Sequence, residues 1–168
     1  MFSKKEVMML KKTVIFSVLM LLVGGCSLKD AKKQESAFIM MKTKKVKFAD
    51  MGFIYSNRSE VKVEVYAAGQ PLVDLNINSQ NICLSLFKCM DKEQFNEEVL
   101  VDSYPATLLE NIFKAEPIFE KENLEKVEGG FEQKITKDNQ YDISYSVISG
   151  KRVFRDKINK ILIKVRKQ

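Results

Sequence analysis

The chain has 168 residues, of which 45% are hydrophobic and 30% charged, with seven Gly and three Pro. This composition is typical of one globular domain and excludes collagen-like, low-complexity and disordered chains. The sequence contains no His, which excludes a Ser-His-Asp triad, a Cys-His pair and any metal site with an imidazole ligand. We therefore expect a protein that is not an enzyme and that holds neither a cofactor nor a metal.

The first 25 residues have the pattern of a bacterial signal peptide. Four lysines, the last of them Lys12, precede an uncharged segment over residues 13–25, whose apolar centre runs from Val14 to Val23. A basic region followed by an apolar region of this length is the arrangement of a secretory signal. A helix that crosses a bilayer needs about 20 apolar residues, so a membrane-spanning anchor is the less favoured alternative.

Val23-Gly24-Gly25-Cys26 resembles the lipobox of bacterial lipoproteins, in which an aliphatic residue and small residues precede a cysteine. The resemblance implies cleavage before Cys26, a diacylglyceryl thioether on its sulfur and acylation of the new amino group. Ser27 at the next position is similar to the residue that directs such proteins to the outer membrane. Each buried methylene contributes about 0.8 kcal/mol, so two or three acyl chains on Cys26 would hold the chain permanently at the membrane.

The leader accounts for part of the basic character of the chain. The formal net charge is +6, but residues 1–25 contain four Lys and one Glu, so cleavage would leave 24 basic and 21 acidic residues. This excess is too small to indicate binding to nucleic acid. Residues 26–37 are polar and show no periodicity, which predicts an acylated cysteine followed by a flexible tether. We expect a single domain over residues 38–168.

The first half of this domain predicts strands. Phe38–Met41 is an apolar run that could contact lipid or a partner, although its length favours a buried strand. In Val61–Tyr66, apolar and polar residues alternate, as they do in a strand with one buried face. The turn at residues 68–71 predicts a hairpin. The predicted strands are residues 38–41, 46–55 (one or two strands), 61–66, 72–77 and 82–87.

The hydrophobic period changes from two to about 3.6 between residues 91 and 116. Asp91 is placed to cap a helix on which Phe95 and Val99 share a face. Pro105 is typical of the first turn of a second helix, which Pro117 ends. Alternation then returns, and we predict strands over residues 131–136, 141–148, 152–154 and 161–166.

The fold class follows from these elements. Short strands at close spacing favour a mainly β protein. We expect an antiparallel β-sandwich, with a small barrel as the alternative and with one or two short helices inserted around residues 91–116.

Cys83 and Cys89 are the remaining cysteines, and an even pair in an extracytoplasmic protein usually oxidises. Six positions on a straight strand span about 20 Å, so a bond requires the chain to turn between the two residues. We predict this disulfide. The alternative is that both are small buried hydrophobic residues.

The acidic residues offer little sign of carboxylate catalysis. A glycosidase needs two carboxylates that flank a cleft, whereas those of this chain lie beside lysines, where a solvated charged surface is the simpler interpretation. The five tyrosines could belong to a recognition surface or to ordinary sheet positions with one wet edge. The acidic residues weighed here are Glu97, Glu98, Glu120, Glu122, Glu125 and Glu128.

Three segments together resemble the small outer-membrane lipoproteins of Campylobacter- and Helicobacter-like bacteria: the lipobox, residues 83–89 (CLSLFKC) and residues 104–113 (YPATLLENIF). The resemblance implies a variant immunoglobulin-like β-sandwich without established enzymatic activity and with a role in contact with host cells.

We therefore expect a lipid-anchored, non-catalytic binding or structural module of the outer membrane. Its partners would be the membrane, through the acyl chains, and an envelope or host protein. The alternative is a periplasm-facing assembly factor for lipopolysaccharide or outer-membrane proteins. A lipid carrier, a third class, would need a deep apolar cavity.

Overall fold

The computed structural model describes residues 32–85 and 87–168. These residues contain eleven strands, two α-helices and one turn of 3-10 helix. The elements in chain order are β1 (Lys33–Lys42), β2 (Lys47–Ser56), β3 (Val61–Ala67), β4 (Gln70–Ile77), β5 (Asn81–Leu84), β6 (Met90–Asp91), α1 (Lys92–Val99), α2 (Leu108–Lys114), the 3-10 turn (Phe119–Lys121), β7 (Leu124–Val127), β8 (Gly130–Lys137), β9 (Tyr141–Ile148), β10 (Lys151–Asp156) and β11 (Ile161–Lys167).

All of these strands belong to one antiparallel sheet, with the order β6-β5-β4-β3-β2-β1-β11-β10-β9-β8-β7. Strands that follow one another in sequence are neighbours, except β6 and β7, which lie at the two edges. The first and last strands, β1 and β11, pair in the middle of the sheet, where Met41 lies opposite Ile163. The edges of the described sheet are β6 and β7, so it is not a closed barrel. The predicted fold class, mainly β and antiparallel with two short helices between residues 91 and 116, is confirmed.

Alternation along each strand gives the sheet two different faces. In β3, Val61, Val63 and Val65 are fully buried, whereas Lys62 and Glu64 between them are partly exposed. We call the face that carries the buried residues the inner face and the opposite one the outer face. The inner residues of the strands and the apolar residues of both helices form one buried cluster.

The two helices cover part of the inner face. The side chain of Asp91 accepts a hydrogen bond from the backbone N–H of Gln94 at 2.7 Å, which confirms the predicted cap of α1. In α2 the buried residues are Leu108, Leu109, Ile112 and Phe113. The helix ends at Ala115, which adopts a left-handed conformation and donates its N–H to the Ile112 carbonyl.

The sheet must curl around this core. Eleven strands placed side by side at about 4.8 Å would be about 50 Å wide if flat, and a helix of eight residues is only about 12 Å long. Gly52, on the inner face of β2, contributes to the close packing of the strands. A Cβ atom at this position would lie 2.1 Å from the carbonyl oxygen of Glu64, so any other residue would push β3 away.

Two predicted boundaries are corrected by the structure, and two strands are added. The tether was expected to run to residue 37, but β1 begins at Lys33, and Glu35 and Ala37 are buried. The alternation of this segment is hard to recognise in the sequence, because the charged residue Glu35 occupies an inner position. The strand predicted over residues 82–87 is shorter and ends at Leu84. Two strands, β6 and β7, were not predicted, since one has two residues and the other is mostly exposed.

Candidate functional site

The predicted lipidation residue, Cys26, lies outside the described residues. The first described strand begins at Lys33, seven positions after it. Among residues 32–85 and 87–168, no helix is both long enough and apolar enough to span a bilayer.

Cys83 and Cys89 are joined by a disulfide, with an S–S distance of 2.07 Å and a Cα–Cα distance of 4.0 Å. The chain makes the turn that the bond requires between β5 and β6. Ile82 pairs with Met90 across this hairpin. The next residues toward the turn are Cys83 and Cys89, which therefore face each other. The disulfide therefore fastens the short edge strand β6 to the sheet.

The carboxylates considered for catalysis lie at the solvated surface. Those on α1 and after α2 are exposed or partly exposed, and Glu98 lies 3.9 Å from the ammonium of Lys45. In the part of the chain that the structure describes, no three His, Cys, Asp or Glu side chains converge in a way that could hold a metal ion. The charged groups that are buried lie elsewhere, and each of them connects two elements.

Glu110 on α2 joins the two helices. Its carboxylate accepts from the ammonium of Lys92 on α1 at 2.7 Å and from that of Lys114 at 2.6 Å. Burial raises the pKa of Glu110, but the hydrogen bonds from Lys114 and Lys92 outweigh burial, so the pKa lies below its usual value. Lys114 also donates to the carbonyl of Arg58, which attaches α2 to the β2–β3 turn.

Asp156, the last residue of β10, lies on the inner face and joins the helical segment to the sheet. It accepts from the hydroxyl of Tyr104, from the side chain of Asn159 at 2.7 Å and from the backbone N–H of Ile158 at 2.9 Å. Burial raises the pKa of Asp156, but the hydrogen bonds from Asn159 and Tyr104 hold it below its usual range. Burial and the neighbouring carboxylate raise the pKa of Tyr104. The Tyr104 hydroxyl therefore keeps its proton and donates a hydrogen bond to Asp156, which is a structural contact.

Glu35 and Arg152 form a second buried pair, on the inner face. The two side chains are 7% and 4% exposed, and Nη2 of Arg152 lies 2.6 Å from Oε2 of Glu35. The pair joins β1 to β10 over 117 positions of sequence. Within the described structure, Oε1 of Glu35, Nε and Nη1 of Arg152 and the Tyr145 hydroxyl are buried without a hydrogen-bond partner. This region is the least satisfied part of the core.

The outer face of three neighbouring strands, β1, β2 and β3, carries a group of apolar and aromatic side chains. Phe38 of β1 lies opposite Met51 of β2, and the ring of Phe53 lies 6.3 Å from that of Tyr55 and 6.2 Å from that of Tyr66 on β3. Most are partly exposed, and Met51 is 39% exposed. We call this group the outer aromatic patch; it consists of Phe38, Met40, Met51, Phe53, Tyr55 and Tyr66.

Cations adjoin the patch. The guanidinium carbon of Arg166 lies 5.6 Å from the centre of the Phe38 ring, a cation–π contact. On β2, β1, β11 and β10, four neighbouring strands in the middle of the sheet, the outer positions include six Lys or Arg side chains and no Asp or Glu. We call these six the basic strip; they are Lys42, Lys47, Lys151, Arg155, Lys164 and Arg166. The basic strip was not predicted, because its members come from β1 and β2 and from β10 and β11, which are distant in sequence.

A groove of about 200 Å³ lies farther along the outer face, over β8, β9 and β10. It is open because Ser144 and Ser146 are small, and Glu132 and Lys134 flank it. This charged and hydroxyl-lined groove is unlike the apolar cavity that a lipid carrier would need.

Comparisons with known proteins add no family assignment. No protein-family model matches the chain, and no curated protein matches its sequence. Evidence on function therefore comes from the sequence motifs and from the geometry of residues 32–85 and 87–168.

Proposed function

We propose that this chain is a lipid-anchored lipoprotein of the bacterial outer membrane that acts as a non-catalytic binding or structural module. The observation that carries the proposal is the placement of Cys26, after an apolar leader and seven residues before β1. An acyl chain on Cys26 would therefore hold the described domain close to the membrane. The similarity to small lipoproteins of Campylobacter- and Helicobacter-like bacteria gives further support.

The domain itself is suited to a role in binding. Its buried charged groups hold elements together, as Glu110 does for the two helices and Glu35 for β1 and β10. Its outer face presents aromatic and cationic side chains that are exposed or partly exposed to solvent. Binding of an envelope or host component needs a stable, exposed surface of this kind.

Fractionation of cells tests the anchor. Cys26→Ala removes the sulfur that would be acylated, so we expect the chain to leave the outer-membrane fraction and to remain as an unprocessed precursor. Ser27→Ala is the matched control, since it changes the neighbouring residue but keeps the sulfur. Unchanged outer-membrane fractionation of Cys26→Ala would overturn the proposal.

Protease treatment of intact cells tests which side the domain faces. A domain that contacts host cells is exposed and will be digested without lysis. A domain that is digested only after the outer membrane is opened faces the periplasm, which contradicts a role in host contact and favours the assembly-factor alternative.

A further inference from the structure

We propose that the outer face of β2, β1, β11 and β10 docks on the anionic headgroups of the membrane to which the chain is attached. The inference uses the anchor of the proposed function only to bring this face near the bilayer. Binding itself depends on the outer aromatic patch and the basic strip.

Charge complementarity is the first observation. The outer positions of these four strands carry the six cations of the basic strip and no carboxylate, although the mature chain as a whole is nearly balanced in charge. On the neighbouring β3 and β4, by contrast, the cation is paired with two carboxylates, since Lys62 lies 2.6 Å from Glu64 and 3.5 Å from Asp74. The central strands thus present a cluster of cations on their outer face without a carboxylate among them, and a surface of lipid phosphates is complementary to it.

The chemistry of the patch is the second observation. Tyr is enriched where proteins meet the headgroup level of a bilayer, because its ring is apolar and its hydroxyl is polar. Tyr55 and Tyr66 both present partly exposed rings here, with Phe53 between them. Phe38 and Met51 add apolar surface, and Arg166 stacks on Phe38 while its charge stays accessible. Aromatic, apolar and cationic groups on one face match the layers of an anionic bilayer surface.

The position of the chain entry is the third observation. Seven residues from Cys26 to Lys33 span at most about 25 Å. In the register of β1 and β2, Tyr55 lies opposite Gln34 and Phe53 opposite Ser36, so the aromatic end of the patch is next to the start of β1. An anchor on Cys26 would hold this end of the outer face within reach of the headgroups.

A tryptophan reporter tests the contact directly, since the chain contains no Trp. The chain from Cys26 onward with Cys26→Ser contains the whole described core, which runs from Ala37 to Val165, and so folds without acyl chains. Met51→Trp places the reporter in the patch. Ile158→Trp places it at a position 47% exposed in the β10–β11 turn, as the matched control.

We expect Met51→Trp to shift its emission to shorter wavelength and to be quenched by brominated lipid in vesicles of phosphatidylglycerol and phosphatidylcholine in equal parts. Ile158→Trp will show neither effect, and phosphatidylcholine alone will give neither. An unchanged Met51→Trp spectrum, equal effects at both positions, or equal binding to phosphatidylcholine would overturn the inference. Crosslinking of the patch to an acidic protein in cells, without binding to vesicles, would also overturn it.

A charge variant makes the test quantitative. Each cation near an anionic surface contributes about five-fold to binding, so Lys151→Gln with Lys164→Gln will weaken affinity for these vesicles by about 25-fold. Lys126→Gln with Lys137→Gln removes the same charge from exposed positions outside the basic strip and will leave affinity unchanged. Equal affinities of the two double variants would contradict docking through this face. Loss of the anchor would not alter these results, so the two proposals fail separately.

Discussion

On the inner face of β10, Arg152, Phe154 and Asp156 are at most 4% exposed, whereas Val153 on the outer face of the same strand is only partly buried. Inner residues must fill a shared core and satisfy one another's polar groups. Outer residues need only be compatible with a strand. The difference explains why aromatic and cationic side chains can collect on the outer face, where they cost the fold little.

Adjacent substitutions on β10 give the largest expected contrast. Phe154→Ala leaves a cavity in the core and will lower the free energy of unfolding by about 3–5 kcal/mol. Val153→Ala, one position along and on the outer face, will lower it by less than about 1 kcal/mol. Urea unfolding followed by circular dichroism measures both. Equal losses would mean that the two faces are not distinct.

The buried ion pair sharpens the contrast on β1. Glu35→Ala leaves the guanidinium of Arg152 buried and unpaired, which will lower the free energy of unfolding by about 3 kcal/mol. Ser36→Ala, on the outer face, will change it by less than about 0.5 kcal/mol.

A double variant distinguishes the contribution of the ion pair from the cost of leaving one buried charge unpaired. Replacing Glu35 and Arg152 together by Met removes both charges and will recover most of the stability that Glu35→Ala loses. If the double variant is less stable than Glu35→Ala, the pair contributes more than the avoidance of an unpaired charge.

Asp156 gives a smaller effect, which depends on pH. Its pKa in the folded chain is below the usual value, so the stability it contributes is present above about pH 4 and is lost as the pH falls through the folded pKa. Asp156→Asn will lower the free energy of unfolding by about 2 kcal/mol at neutral pH and will make it less dependent on pH below pH 4. Asp138→Asn, at an exposed carboxylate, is the control. An unchanged acid dependence in Asp156→Asn would contradict the assigned role.

Strands with a regular apolar period could be predicted from sequence. Val61, Val63 and Val65 mark β3, and Asp91 marks the start of α1, because both signals are local. The apolar run at residues 38–41 illustrates the limit. Its length predicts a buried strand, with contact to lipid or a partner as the alternative. In the structure this segment is part of β1, and its side chains alternate between the two faces. Ile39 and Met41 are buried, whereas Phe38 and Met40 face outward.

The features that sequence could not predict are those that depend on pairing over long distances. The sheet order places β1 beside β11, and only this register brings Phe38 next to Arg166. Glu35 and Arg152 could have been noticed as charged residues at inner positions of otherwise alternating segments, as Arg152 is two residues before Phe154. Their partnership, however, follows only from the fold.

Intact mass spectrometry of the native protein, extracted from bacterial membranes, tests the central claim most directly. We predict a chain that begins at Cys26 and carries a diacylglyceryl group together with an amide-linked acyl chain. A mass that corresponds to an unmodified Cys26, or to a chain that retains residues 1–25, would contradict lipid anchoring and with it the proposed place of this domain at the outer membrane.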